Sequence, residues 1–94
     1  MNYFCEVLTP YAGDATQANP LTNLLSEEYP AIRSWENVTG LGGNGNVPAP
    51  DIHDILIICS EADYLAIDSD PTYLIIWAEE TTAQNVTEAK ARQA

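Results

Sequence analysis

Positive charge is the scarcest feature of this sequence. Three lysine and arginine residues face 14 aspartate and glutamate residues, so the formal net charge is −11 at pH 7. A surface of this sign repels nucleic-acid phosphates and anionic lipid headgroups. We therefore expect no direct nucleic-acid partner and no membrane partner. The charge favours basic partners, divalent cations or a protein groove that normally receives DNA, and by itself it also confers solubility.

Long apolar runs and a secretory leader are also missing. The longest apolar segments, residues 55–59 and 73–78, fall well short of the roughly 20 residues that span a bilayer. The N-terminus has no basic stretch followed by a long apolar run, so we expect a cytoplasmic chain that is not secreted by a signal peptide. Cys5 and Cys59 each lie in an apolar segment, which favours buried thiols over a disulfide.

Recognisable catalytic motifs are absent from the sequence. Residues 40–46 are rich in glycine and asparagine, but two prolines and a strand follow where a phosphate-binding loop needs a helix. The single histidine, His53, lies between Asp51 and Asp54. In a strand only Asp51 projects on the same side as His53, whereas a stable metal site needs three or four ligands. We therefore predict no catalytic residue, no metal and no cofactor, and we expect His53 at a solvated entrance to a strand.

Strand and helix patterns alternate along the first half of the chain. Residues 2–9 are rich in aromatic and β-branched types and end before a proline, which predicts a strand. The Asn-Pro pair at 19–20 is typical of a helix start, and leucines three and four residues apart predict a short helix over 20–29. Residues 31–39 fit a helical turn or a strand. We favour a strand within 33–39, because dense turn chemistry follows it.

The second half gives clearer patterns. Residues 55–59 are a continuous apolar run, typical of a strand that is covered on both faces or central in its sheet. Ser60 is a favoured helix N-cap, and the apolar positions after it predict a helix through residue 68. Residues 68–70 begin like a calcium-binding loop, but a proline and an apolar strand over 73–78 follow, so we expect a turn there.

These segments predict an α+β fold. The order of strands and helices is that of a ferredoxin-like βαββαβ sandwich, with two short helices on one face of a mainly antiparallel sheet. The alternative is a looser α+β arrangement in which residues 31–39 are not a strand. Residues 1–80 form a single domain in this interpretation, and 81–94 are a polar C-terminal tail or a frayed helix. That tail has almost nothing to bury, so deleting residues 84–94 is expected to leave the melting temperature nearly unchanged.

Burial should follow the two apolar strands and the two short helices. We expect four residues of adjacent strands to be largely buried: Ile55, Ile57, Leu74 and Ile76. We expect four leucines of the helices to pack over them: Leu21, Leu24, Leu25 and Leu65. Since no third helix is predicted, the other sheet face would stay open to a second subunit or a partner. Large apolar and aromatic residues are the candidate interface: Trp35, Leu56, Ile58 and Trp77.

Two segments of the chain carry a resemblance. Residues 3–11, YFCEVLTPY, and residues 66–77, AIDSDPTYLIIW, resemble small uncharacterised proteins of tailed bacteriophages. The resemblance covers only part of the chain and contains no catalytic signature. It implies a virion component or an assembly factor, and it assigns no functional residues.

Together these observations favour a non-enzymatic protein-interaction protein. We expect a structural or assembly component of a virion that self-associates or joins a larger particle. One alternative is a small ferredoxin-like dimeric enzyme with a pocket between sheet and helices. The other is an acidic inhibitor that mimics DNA, which requires most carboxylates to form one stripe: Glu27, Glu28, Glu36, Asp51, Asp54, Glu61, Asp63, Asp68, Asp70, Glu79 and Glu80.

Overall fold

Four strands and three short helices follow one another along the part of the chain that the structure, a computed structural model, describes: residues 1–12, 23–38 and 52–93. The elements are β1 (Asn2–Pro10), α1 (Leu24–Glu28), β2 (Trp35–Asn37), β3 (Ile52–Ser60), α2 (Glu61–Asp68), β4 (Leu74–Thr81) and α3 (Val86–Gln93). The strands form one antiparallel sheet in the order β2-β3-β1-β4. The α+β class and the strand within 33–39 are therefore confirmed, whereas the predicted loop over 40–50 lies outside the described residues.

The N-terminal strand β1 lies inside the sheet. It pairs with β3 along its whole length, from Asn2 opposite Ser60 to Pro10 opposite Ile52, and with β4 on its other side. Successive side chains of a strand project to opposite faces. Odd-numbered residues of β1 and β3 therefore lie on one face, which we call the helical face because α1 and α2 pack on it. Even-numbered residues lie on the other face, which we call the α3 face.

Side-chain caps fix where two of the helices begin. The Asn23 side chain accepts a hydrogen bond from the Ser26 N–H at 2.8 Å, so α1 begins at Leu24. The start predicted at residues 19–20 lies outside the described residues. Ser60 caps α2 as the sequence predicts, because its hydroxyl accepts from the Asp63 N–H at 3.2 Å. Such caps satisfy backbone donors that have no partner inside the helix.

The main core lies between the helical face and the two helices. Its buried members are Cys5, Val7, Leu25, Ile32, Ile55, Ile57, Cys59, Ile67 and Tyr73, with Leu24 packed at the edge. The predicted burial of Ile55, Ile57 and Leu25 is confirmed. The predicted turn after α2 is also present, since the Asp70 carboxylate accepts from the Thr72 N–H at 2.9 Å. Leu21 lies outside the described residues.

The expected burial of β4 was wrong. Leu74 is 60% exposed and Ile76 is 43% exposed. The reason is the strand order, because β1 lies between β3 and β4 and leaves β4 as an edge strand. The expected packing of Leu65 was wrong as well, since it is 57% exposed on the outer side of α2. An apolar run in the sequence does not distinguish a central strand from an edge strand.

A third helix covers part of the α3 face, contrary to the prediction that none would. Val86 and Ala89 of α3, with Ala83 just before the helix, are buried against Phe4 and Ile58 in a second core cluster. The segment after β4 therefore does have apolar groups to bury. The Val86 N–H also donates to the Ser34 hydroxyl at 2.9 Å, which ties the start of α3 to the chain just before β2. All helices of the described residues have at most eight residues, and none of them could cross a bilayer.

Candidate functional site

The single histidine is buried rather than solvated. His53 and Asp54 are both fully buried, so the prediction of a solvated strand entrance was wrong. The His53 Nδ1 atom is 3.0 Å from the Asn37 amide oxygen, and its ring meets the ring of Tyr11 edge-on at 4.0 Å. Asp54 projects to the opposite sheet face from His53, and Asp51 lies outside the described residues. Because His53 is buried with the Tyr11 ring and the Asn37 amide as neighbours, we assign it a role in packing and hydrogen bonding.

Residues 1–12, 23–38 and 52–93 offer neither a metal-binding group nor an activated cysteine. No group of three or more histidine, cysteine, aspartate or glutamate residues is arranged to hold a metal ion in these segments. Cys5 and Cys59 are buried free thiols, as predicted. A hydrogen bond with Cys59, and then burial, raise the pKa of the Cys5 thiol well above its ordinary value. A thiol in this environment stays protonated and is a poor nucleophile.

A cleft of about 470 Å³ with both polar and apolar lining residues lies near the starts of α2 and α3. Arg33, Ser34, Asp63 and Asn85 are among its lining residues. Arg33 is the one lysine or arginine of the described residues outside an ion pair, since Lys90 and Arg92 are paired within the molecule. The first turn of α2 carries two carboxylates, Glu61 and Asp63. An arginine beside a helix N-terminus would ordinarily attract an anion. Here the negative charge of the two carboxylates disfavours an anion at this position.

The most exposed apolar surface of the described residues on the α3 face lies beside α3, towards the edge strand β4, whereas Asp54 on the same face is fully buried. We call this apolar surface the open face and define it by Leu8, Leu56, Leu74 and Trp77, arranged around Glu6, with the exposed Ile76 next to them in β4. The register places Leu56, Glu6 and Trp77 in one row across β3, β1 and β4, and it places Leu8 beside Leu74 in another. Ile76 is left without a partner by the register shift between Glu6 and Val7. Large apolar side chains left next to a core are typical of interaction sites.

A hydrogen bond fixes the centre of the open face. The Trp77 Nε1–H donates to the Glu6 carboxylate at 2.9 Å, and Glu6 is only 8% exposed. The Trp77 ring also meets the Phe4 ring edge-on, with the ring centroids 5.1 Å apart. Trp77 is thus held from below by the second core cluster and from the side by a carboxylate. A large ring fixed in this way loses little conformational entropy when a partner covers it.

An apolar groove continues the open face past the end of the sheet. It has a volume of about 480 Å³ and shares Leu8 and Leu74 with the open face. Its other lining residues include Pro10, Ile52, Pro71 and Tyr73, and none of its lining residues is charged. Burial, and then a hydrogen bond to the Glu28 carboxylate, raise the pKa of the Tyr73 phenol far above its ordinary value. The open face and this groove together form one continuous apolar surface.

The charges are distributed unevenly around this surface. The two ion pairs of the described residues lie at α3, where Lys90 Nζ is 3.1 Å from Glu36 and Arg92 is 2.6 Å from Glu88. Glu79 projects on the α3 face and accepts from the Gln93 side chain at 2.7 Å. Lys90 and Arg92 of α3 are therefore both already paired with carboxylates.

The predicted interface residues do not form one surface. Leu56 and Trp77 are half-buried members of the open face. Ile58 is 7% exposed beneath α3, and Trp35 lies on the helical face against the main core. The sequence interpretation missed Leu74 and Ile76 because it assigned them to the core. Period-2 alternation along β4 could have indicated that Trp77 and Glu79 lie on the same sheet face. The register shift interrupts this alternation between Trp77 and Leu74, which also lies on that face.

Comparison with protein-family models, with curated protein sequences and with solved structures finds no match for this chain.

Proposed function

We propose that this chain is a non-enzymatic interaction protein that works as a structural or assembly component, of the kind found in a virion or its assembly pathway. The observation that supports this most directly is the open face, where Leu74 and the neighbouring Ile76 are exposed close to a half-buried tryptophan. A partner or a second subunit that covers this surface would bury them. We place the working location in the cytoplasm or on the particle itself.

We further propose that the domain is a ferredoxin-like sandwich. Two features support this fold: the strand order β2-β3-β1-β4 with antiparallel neighbours, and the packing of α1 and α2 on one face. In this chain α3 packs on the second sheet face, against Phe4 and Ile58. The fold by itself says nothing about function, so the proposal depends on the open face.

The two alternatives have weaker support. A DNA mimic needs one stripe of carboxylates, yet Asp54 is buried, Glu36 and Glu79 lie on the α3 face, and the carboxylates of α1 and α2 lie on the other side. A small enzyme needs a pocket with titratable groups in reach of a substrate. The apolar groove has no charged lining residue, and His53 is buried under Tyr11.

Light scattering and co-sedimentation with matched variants test the proposal. Leu74→Ser removes an exposed leucine from the open face, and Leu65→Ser removes one of nearly equal exposure from α2 on the helical side, 60% against 57%. We expect the parent protein to associate with itself or with purified virion proteins, and we expect Leu74→Ser to weaken this association while Leu65→Ser leaves it intact. A strict monomer at high concentration that binds no virion protein would contradict the proposal.

A further inference from the structure

We propose that Cys5 and Cys59 make this fold redox-sensitive: the sheet forms while both thiols are reduced, and a disulfide between them keeps the chain from its native register. The two cysteines lie on the neighbouring strands β1 and β3, where Cys5 pairs with Ile57 and Cys59 pairs with Tyr3. They are therefore diagonal neighbours on the helical face. Both belong to the main core, in which Cys5 is fully buried and Cys59 is 4% exposed.

The two thiols are in contact in the folded protein but are protected from oxidation. A hydrogen bond with Cys59, and then burial, raise the pKa of the Cys5 thiol, which therefore keeps its proton. A protonated thiol reacts slowly with oxidants. Cys59 is among the lining residues of the cleft near the starts of α2 and α3, yet its small exposed fraction leaves no room for a bulky oxidant. The folded sheet thus keeps the pair reduced.

The diagonal placement opposes a disulfide within the folded sheet. Diagonal neighbours on antiparallel strands have Cα atoms about 7–8 Å apart. A disulfide usually joins residues whose Cα atoms are about 4.4–6.8 Å apart, and a longer separation requires the backbone to move. Here β1 pairs with β3 along its whole length, and Val7 and Ile57 are fully buried in the same core cluster. A disulfide would therefore shift two strands that the core holds in register.

Opening of the sheet removes both obstacles, because the thiols meet solvent and the flexible chain can bring the two residues to disulfide distance. The sequence has two cysteines, so one intramolecular disulfide is possible. With oxidised glutathione as the oxidant, one protein thiolate attacks the glutathione disulfide and releases a glutathione thiolate, which takes up a proton. The second protein thiolate then attacks the mixed disulfide, forms the bond between Cys5 and Cys59 and releases the second glutathione. Two protein thiols are oxidised, and one glutathione disulfide is reduced to two thiols.

Incubation of the full chain with oxidised glutathione, without urea and at the urea midpoint, tests the proposal. We expect disulfide formation, measured by mass spectrometry as the loss of two hydrogen atoms, to be at least roughly tenfold slower without urea, since few native molecules are open at any moment. After removal of urea, the oxidised chain should fail to regain the native sheet. Tyr3 is a local reporter, because it lies opposite Cys59 and its ring stacks on Tyr64 with the centroids 4.2 Å apart. The near-UV circular dichroism of this tyrosine pair should be lost, amide exchange along β1 and β3 should be faster, and dithiothreitol should restore both.

The double variant with Cys5→Ala and Cys59→Ala has no thiol and controls for the effects of urea and glutathione. It should regain its own starting spectrum with or without the oxidant, and recovery of the parent by dithiothreitol gives the same control if this variant does not fold. A disulfide that fits the native sheet would instead stabilise the protein by constraining the unfolded chain. Three results would each overturn the proposal: equal rates of disulfide formation with and without urea, an oxidised protein that regains the native spectrum or melts above the reduced one, and glutathione adducts on both cysteines in place of the intramolecular bond.

Discussion

Shortening Val86 to alanine tests whether α3 is a packed part of the fold. Val86 is 1% exposed and belongs to the second core cluster with Phe4 and Ile58. The change removes two carbon groups from a buried position, at about 0.8 kcal/mol each, and adds a cavity cost. We therefore expect the free energy of unfolding to fall by about 1.5–2 kcal/mol, or a melting temperature lower by roughly 6–16 °C.

Thr87→Ala is the matched control, because Thr87 is the next residue of the same helix and its side chain is exposed. It gains helix propensity and loses no buried contact, so we expect a small increase in stability, within about 0.5 kcal/mol. Urea unfolding followed by tryptophan fluorescence measures both variants. If Val86→Ala and Thr87→Ala shift the midpoint equally, α3 does not pack on the sheet. In contrast to the expectation from sequence, deletion of residues 84–94 should now destabilise the protein clearly, because it uncovers Phe4 and Ile58.

Three further outcomes are expected from single substitutions. Ser60→Ala removes the cap of α2 and should cost about 1 kcal/mol in urea unfolding, whereas Ser60→Asp should retain most of the stability. Thr9→Val leaves the buried Leu25 N–H without its hydroxyl acceptor and should cost about 1–3 kcal/mol, with Thr9→Ser as the control. The pKa of Tyr73 is raised in the folded state, by burial first and then by its hydrogen bond to Glu28, so its contribution to stability is complete below the unfolded pKa of about 10 and is lost as pH rises above it. In Tyr73→Phe the decline of the urea midpoint between neutral and strongly alkaline pH should be smaller, and absorbance titration should show one fewer late-titrating phenol.

Local signals in the sequence predicted the elements better than their arrangement. The apolar run at 55–59 and the cap at Ser60 indicated β3 and α2 because each depends on neighbouring residues only. The exposure of Leu74 depends on strand order, which pairs residues far apart in the chain and leaves no local pattern. The segment that contains α3 did carry a signal, since Ala83 before the helix and Val86 and Ala89 within it follow one another at intervals of three residues. Small side chains give a weak periodic pattern, although they allow close packing on a sheet.

The candidate site was only partly predictable for the same reason. Trp77 and Leu56 were expected at an interface because of their residue types, and both lie on the open face. Ile58 has the same character as Leu56, yet it lies two residues further along β3, under α3. The burial of His53 likewise depends on Tyr11 and Asn37, which the chain brings from two other segments.

The inside position of β1 has a consequence for how the chain folds during synthesis. β1 leaves the ribosome before both of its sheet neighbours, which are β3, ending at Ser60, and β4, ending at Thr81. The apolar side chains of β1 therefore have no native cover until most of the chain has been made. Strand pairing between such distant segments slows folding, and the strand edges stay unpaired and exposed until the pairing forms. A nascent chain stalled before β3 should bind a holdase chaperone through β1, and release should follow once β3 emerges.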